Sequence, residues 1–235
     1  MSRSLALFFI STLILAVACT SGGNLRFPEP RCTGDEREAC LAAQTQIQPD
    51  DDICEGSQRR VCIAPLGRVD PDLVRHLAGH FRDEYGLSVY VLTPNAVPED
   101  LPYSLGDQFD AFTMIEYMGS LFPDAYRDHN AILIALTPVD LYDRDSHFRY
   151  VFGLKGSPDD PTAVISTSRM YPETYGERPD QDLFFARVRK LFSKYVGYMY
   201  YGLPLSDDPH SLMFDSILGP GDLDRMQEPL PVPGR

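Results

Sequence analysis

Two histidines one helical turn apart are the first residues of this sequence whose spacing could hold a metal. In His76-Leu77-Ala78-Gly79-His80 the imidazoles stand at i and i+4, on one face of any helix that carries them. Hydrolytic zinc sites of that pattern also place a Glu directly after the first His, as general base to a metal-bound water. Here that residue is Leu77, so the pair reads as two histidines on a half-exposed helix face. Asp207, Asp208 and His210 form a second polar cluster, suited to a solvated loop or at most to a weak surface cation. No nucleophile elbow, phosphate-binding loop or dinucleotide fingerprint occurs. The net charge of −13, with no basic cluster, argues against nucleic acid or anionic lipid headgroups as partners.

The cysteines have a different chemistry. Arg3 is followed by an apolar run from Leu5 to Ala18, fourteen residues long, where a bilayer-spanning helix needs about 20. The run therefore predicts a secretory signal over residues 1–18. It ends Ala16-Val17-Ala18-Cys19, which resembles the bacterial lipobox, with Ala16 where Leu is usual. Cleavage before Cys19 would expose a thiol for lipidation and anchor the chain through membrane lipid. Thr20 in place of Asp points to the outer membrane of a bacterial cell envelope. The four remaining cysteines, Cys32, Cys40, Cys54 and Cys62, form an even set in an exported chain, so they read as disulfides in one of three possible pairings. Their spacing lacks the short ligand loops of structural zinc sites.

The elements that must position such residues follow from periodicity and punctuation. Residues 19–60 form a tether and a cysteine-bearing leader. Val61 to Leu66 predicts a first strand. Asp70-Pro71 begins a helix, Leu73, Val74, Leu77 and Phe81 line one of its faces, and Gly86 ends it. Leu87 to Leu92 reads as a strand, Gln108 to Leu121 as a helix, and Ala131 to Thr137 as a buried parallel strand. Phe148 to Leu154 and Ala163 to Thr167 are two further strands. Gln181 to Tyr201 is a long helix with Phe184, Val188, Leu191, Tyr195 and Met199 on one side, closed by Gly202 and Pro204. Strands alternating with helices predict an α/β fold with a mostly parallel sheet of about five strands. The main domain is expected over residues 61–225 and a loosely ordered proline-rich tail over 226–235.

From Val61 onward the chain resembles the archaemetzincins, a family of metzincin-type zinc peptidases. The segments that carry the likeness are Ile63-Ala64-Pro65-Leu66-Gly67, Thr137-Pro138-Val139-Asp140-Leu141-Tyr142, Phe152-Gly153-Leu154 and Val164-Ile165-Ser166-Thr167-Ser168-Arg169. They occur in family order over about 150 residues, one domain's worth. The family site reads H-E-x-x-H-x-x-G-x-x-H-C-x4-C-x-M. Aligned on Gly202, its three His fall on Tyr195, Met199 and Leu205, and its Glu on Val196. Two family cysteines that help hold a second, structural zinc fall on Ser206 and Ser211, and the methionine of the turn under the metal falls on Met213 without a gap. A later cysteine pair falls on Pro231 and Gly234.

The resemblance thus implies a metzincin-like fold, while the residues remove every metal ligand and the general base. One phenol, one thioether and alkyl chains do not hold Zn²⁺, so neither zinc nor another cofactor is expected. The expected function is a membrane-anchored pseudoprotease that binds a protein or peptide in the former substrate cleft or serves as an envelope scaffold. Strand addition near Phe148 to Leu154 is the expected mode of binding. The alternatives are a zinc peptidase with atypical ligands and a purely structural envelope lipoprotein.

Overall fold

The computed structural model describes residues 54, 56–157 and 160–232. The expected signal segment, Cys19, Cys32, Cys40 and Gly234 lie outside the described residues.

Strand β1 (Arg60–Pro65) is buried at every position, as a strand must be that has neighbours on both edges and helices over both faces. It pairs in parallel with β2 (Val89–Val91) and with β4 (Ala131–Thr137). β4 pairs in parallel with β7 (Thr162–Ser166), and β6 (Gly153–Lys155) runs antiparallel to β7. The sheet order is β2-β1-β4-β7-β6, so β6 is an edge. A second, two-stranded parallel sheet joins β3 (Gln108–Asp110) to β5 (Asp140–Tyr142). The expected α/β sheet of five mostly parallel strands is the one observed.

Alternation along the strands divides the interior into two cores. Val61, Ile63, Ile132, Ile134, Leu136 and Ile165 face helices α1 (Pro71–Tyr85) and α4 (Gln181–Met199). Cys62, Ala64, Leu133, Ala135 and Val164 face α2 (Ala111–Leu121), beside which lies the short α3 (Pro123–Arg127). α1 has the expected ends: the Asp70 side chain accepts from the Asp72 N–H at 2.8 Å, and Gly86 takes the left-handed φ of 63° that a side chain would strain.

Several expected boundaries shift for local reasons. The helix expected from Gln108 starts at Ala111, because Asp110 is its N-cap and accepts from the Thr113 N–H at 2.9 Å. The strand expected over Phe148 to Leu154 narrows to Gly153–Lys155, since Val151 donates its N–H to the Leu141 carbonyl of β5 instead. The tail is not loose as far as Val232. Met226 and Leu230 are buried, Glu228 pairs with Arg189 through two bonds of 2.8 and 2.7 Å, and the Leu230 N–H donates to the Tyr85 hydroxyl at 3.0 Å. A short helix, α5 (Pro220–Arg225), precedes it.

Among the possible pairings of the cysteines, Cys54 is joined to Cys62, with Cα atoms 6.1 Å apart. The bridge ties the end of the leader to the middle of β1. Arg60, almost wholly buried, reinforces the tie by donating to the carbonyls of Cys54, Gly56 and Gln58 and to the Asp128 carboxylate. That contact holds the Asp128 carboxyl below the usual carboxylate range.

Candidate functional site

Helix α4 carries the positions where the resemblance puts metal ligands. Asp180 caps its start by accepting from the Leu183 N–H at 2.9 Å. Phe184, Val188, Leu191, Phe192, Val196 and Met199 bury one face against the sheet and α1. Arg187 is buried with them and makes a two-bond pair with Asp224 of α5 (2.8 and 2.7 Å). The helix ends as Gly202 adopts φ 67°, and the Leu203 N–H returns to the Gly197 carbonyl at 2.9 Å. Arg59 donates to the Met199 carbonyl at 2.7 Å, which puts a cation on the negative end of the helix dipole.

The chain then turns back beneath the helix. Ser206 pairs with the Met213–Asp215 segment: its N–H donates to the Met213 carbonyl at 2.9 Å, and its carbonyl accepts from the Asp215 N–H at 3.0 Å. Met213 packs under α4 so closely that a Cβ on Gly197 would lie 2.7 Å from its sulfur. Within the loop, the Ser206 hydroxyl accepts from the Asp208 N–H at 3.1 Å, the Asp208 carboxylate from the His210 N–H at 2.9 Å, and the Ser211 hydroxyl from the Met213 N–H at 3.1 Å. The methionine turn is therefore held by hydrogen bonds.

The aligned positions separate into two groups. Val196, Met199 and Met213 lie in the core. Tyr195 and Leu205 instead line an open cleft of about 290 Å³ together with Gly153, Leu154, Lys155, Lys194, Tyr198 and Asp215. One wall is the edge strand β6 and the other is α4. The Tyr195 ring lies against Gly153, where a Cβ would come within 2.9 Å of the phenol oxygen and 2.7 Å of the Val164 carbonyl oxygen. Burial pushes the Tyr195 hydroxyl above its ordinary pKa, so it remains a neutral donor. The Lys194 ammonium donates to the Asp215 carbonyl at 3.1 Å, and burial lowers its pKa although the Asp215 carboxylate opposes the shift. Lys155 covers the Tyr198 ring at 5.7 Å.

These donors do not fit a catalytic zinc. The ligand positions offer a phenol, a buried thioether and an exposed leucine, and the general-base position is a fully buried valine. His76 and His80 do not reach the cleft lining. Their rings stack 6.4 Å apart on α1, and His76 Nε2 lies 2.9 Å from Arg189. Burial, and then the Arg189 charge, lower the pKa of both. Asp208 and His210 are engaged within their own turn, and His210 Nδ1 lies 3.3 Å from the Arg225 carbonyl. Among the described residues no three His, Cys, Asp or Glu side chains converge as metal ligands.

The edge expected to receive a peptide is real but shorter. Phe152 and Gly156 bond to Ser166 and Thr162 of the neighbouring chain segment (2.8 and 2.9 Å), so by alternation the Gly153 main chain points to the open side of β6. Phe148, Arg149 and Tyr150 turn away and line a separate groove with Leu105, Gln108, Tyr142 and Arg169, about 510 Å³ in volume. Lys194, Lys155 and Arg59 were not singled out from sequence. The position of Lys194 beside the first aligned ligand is the one signal that could have marked it.

Comparison with known proteins gives one consistent answer. No protein-family model matches the chain. An archaemetzincin of Pyrococcus furiosus is 29% identical over 155 residues, 53% of this chain and 79% of the relative. An archaemetzincin of Pyrococcus horikoshii is 34% identical over 88 residues, 37% of this chain and 45% of the relative, less than half its length. Among solved structures, a zinc-dependent peptidase from Methanocorpusculum labreanum superposes with a TM-score of 0.56 and 22% identity, covering 71% of this chain and 93% of that one. An archaemetzincin from Methanopyrus kandleri gives 0.56 and 24%, covering 73% and 88%.

Proposed function

We propose that this chain, a divergent member of the archaemetzincin family, is an exported lipoprotein, anchored to a bacterial cell envelope through Cys19, that binds an extended peptide and does not cleave it. The observation that carries this reading is the cleft of about 290 Å³ between β6 and α4, lined by Tyr195 and Leu205, two positions where the resemblance places zinc ligands. A closed, purely structural domain would have no such opening. A zinc peptidase would need metal ligands, yet the cleft offers Lys194, Tyr195 and Leu205, with Val196 at the base position buried in the core. An edge strand with an outward-facing main chain beside an apolar and aromatic wall is suited to strand addition, in which main-chain hydrogen bonds supply affinity and side-chain pockets supply choice. The anchor rests on the apolar run and the Ala16-Val17-Ala18-Cys19 sequence.

The test uses the full chain, purified in detergent without chelators. Elemental analysis is expected to find less than about a tenth of an equivalent of zinc, and peptide substrates to stay intact. Near-stoichiometric zinc together with chelator-sensitive cleavage would overturn the reading. In cells, Cys19→Ala is expected to move the protein from the membrane to the soluble fraction. Unchanged membrane association would overturn the anchor alone.

A further inference from the structure

We propose that the cleft contains a carboxylate-binding site formed by Lys194 and Tyr195, and that it selects extended peptides bearing a carboxylate. The proposal rests on the peptide-binding reading for the nature of the ligand, but its chemistry comes from two donors. A lysine ammonium has three N–H groups, and among the described residues the only hydrogen bond of Lys194 runs to the Asp215 main-chain carbonyl. The Tyr195 hydroxyl makes no hydrogen bond among the described residues, and both side chains line the cleft. The Tyr195 hydroxyl stands on the wall of the open cleft, where the acceptor atoms of an incoming ligand can reach it.

Two donors carrying one positive charge match the two oxygens and single charge of a carboxylate. A phosphate fits less well. Its second negative charge would face the exposed Asp215 carboxylate on the same cleft wall, in a protein of net charge −13, while Lys155, the other cation of the lining, donates to the Ser157 and Asp160 carbonyls. Partial burial, which lowers the Lys194 pKa, also strengthens the attraction of its ammonium to an incoming anion. Beside these donors, the outward main chain of Gly153 can hold the peptide that carries the carboxylate. A C-terminal carboxylate and an Asp or Glu side chain are the two sources.

Full-length protein in detergent is titrated by fluorescence anisotropy with three labelled hexapeptides of alternating valine and threonine. One has a free C-terminus, one is amidated, and one is amidated with an internal glutamate. Either carboxylate peptide, or both, is expected to bind about tenfold or more tighter than the neutral peptide, and the stronger of the two identifies the source. Lys194→Met and Tyr195→Phe, checked for folding by circular dichroism, are expected to abolish the preference and leave the weaker binding of the neutral peptide in place. Equal affinity for all three peptides, or a preference that survives both substitutions, would overturn the carboxylate site while the peptide reading stands. A second measurement is independent of peptides. In methyl-labelled protein, acetate, and not acetamide, is expected to shift the Leu205 signals in the wild type only. Acetate shifts without any peptide binding would overturn the peptide reading and leave the site. Neither response would overturn both.

Discussion

At the end of α4, Val196 and Met199 are packed into the main core. In the turn that follows, Ser206 and Ser211 hold the backbone through their hydroxyls. The family resemblance places the general base at Val196 and metal ligands at Met199, Ser206 and Ser211. On the helix, apolar atoms fill the interior and the polar chemistry has withdrawn to the rim at Lys194 and Tyr195. In the turn, short side-chain-to-backbone bonds perform the closure that the resemblance gives to cysteine and zinc. The contrast teaches that a backbone turn can be held by two routes, dense packing where the segment is buried and local hydrogen bonding where it is exposed.

The strongest way to break this contrast is to place a carboxylate at the aligned general-base position. Val196→Glu is expected to destabilise the fold by about 3–5 kcal/mol, because a carboxylate would enter a site with no water and no partner. Urea denaturation measures this, and a stable variant would show the helix face to be more open than described. Met199→Ala should cost about 2–5 kcal/mol through the cavity it leaves. Ser206→Ala and Ser211→Ala should each cost only about 0.5–1.5 kcal/mol, with faster amide exchange confined to residues 206–213. If Ser211→Ala proved as damaging as Met199→Ala, the distinction between packed and hydrogen-bonded replacement would fail.

The smallest effect is a pH dependence away from both regions. His76 and His80 have folded pKa values lowered below about 6.5, so the unfolded chain binds protons first as pH falls. Their contribution is neutral above that value and becomes destabilising as pH falls from about 6.5 towards the lowered folded values. Thermal melts between pH 7 and pH 5 should show a falling melting temperature, and the His76→Gln, His80→Gln double variant should flatten the slope. The Asp128 and Glu228 carboxyls, held low by Arg60 and Arg189, act only in more acidic solution.

The sequence made the fold legible wherever a signal was local. Asp70, Pro71 and Gly86 mark α1 to the residue, the unbroken apolar run marks β4, and the spacing from Gly202 to Met213 places the turn under α4. Elements of three to six residues, such as β5, α3 and α5, are too short for a period to show. The packing of the tail was hidden for another reason. Leu230 packs into the core against α4 near Gly197, and its N–H is taken by Tyr85, 145 residues earlier. At the site, the residue type at each aligned position could be read directly. The cleft could not, because whether Tyr195 and Leu205 fill a void or line one depends on where β6 runs, and Val151 diverts that strand to β5.

The Cys54–Cys62 bridge has a mechanical consequence. A pull on the chain preceding Cys54 does not begin by peeling Arg60 from the sheet. The covalent link delivers the force to Cys62, in a strand hydrogen-bonded to β2 on one side and β4 on the other. Pulled along its length, such a strand must shear both ladders together, so the bridge turns an unzipping load into a shearing one.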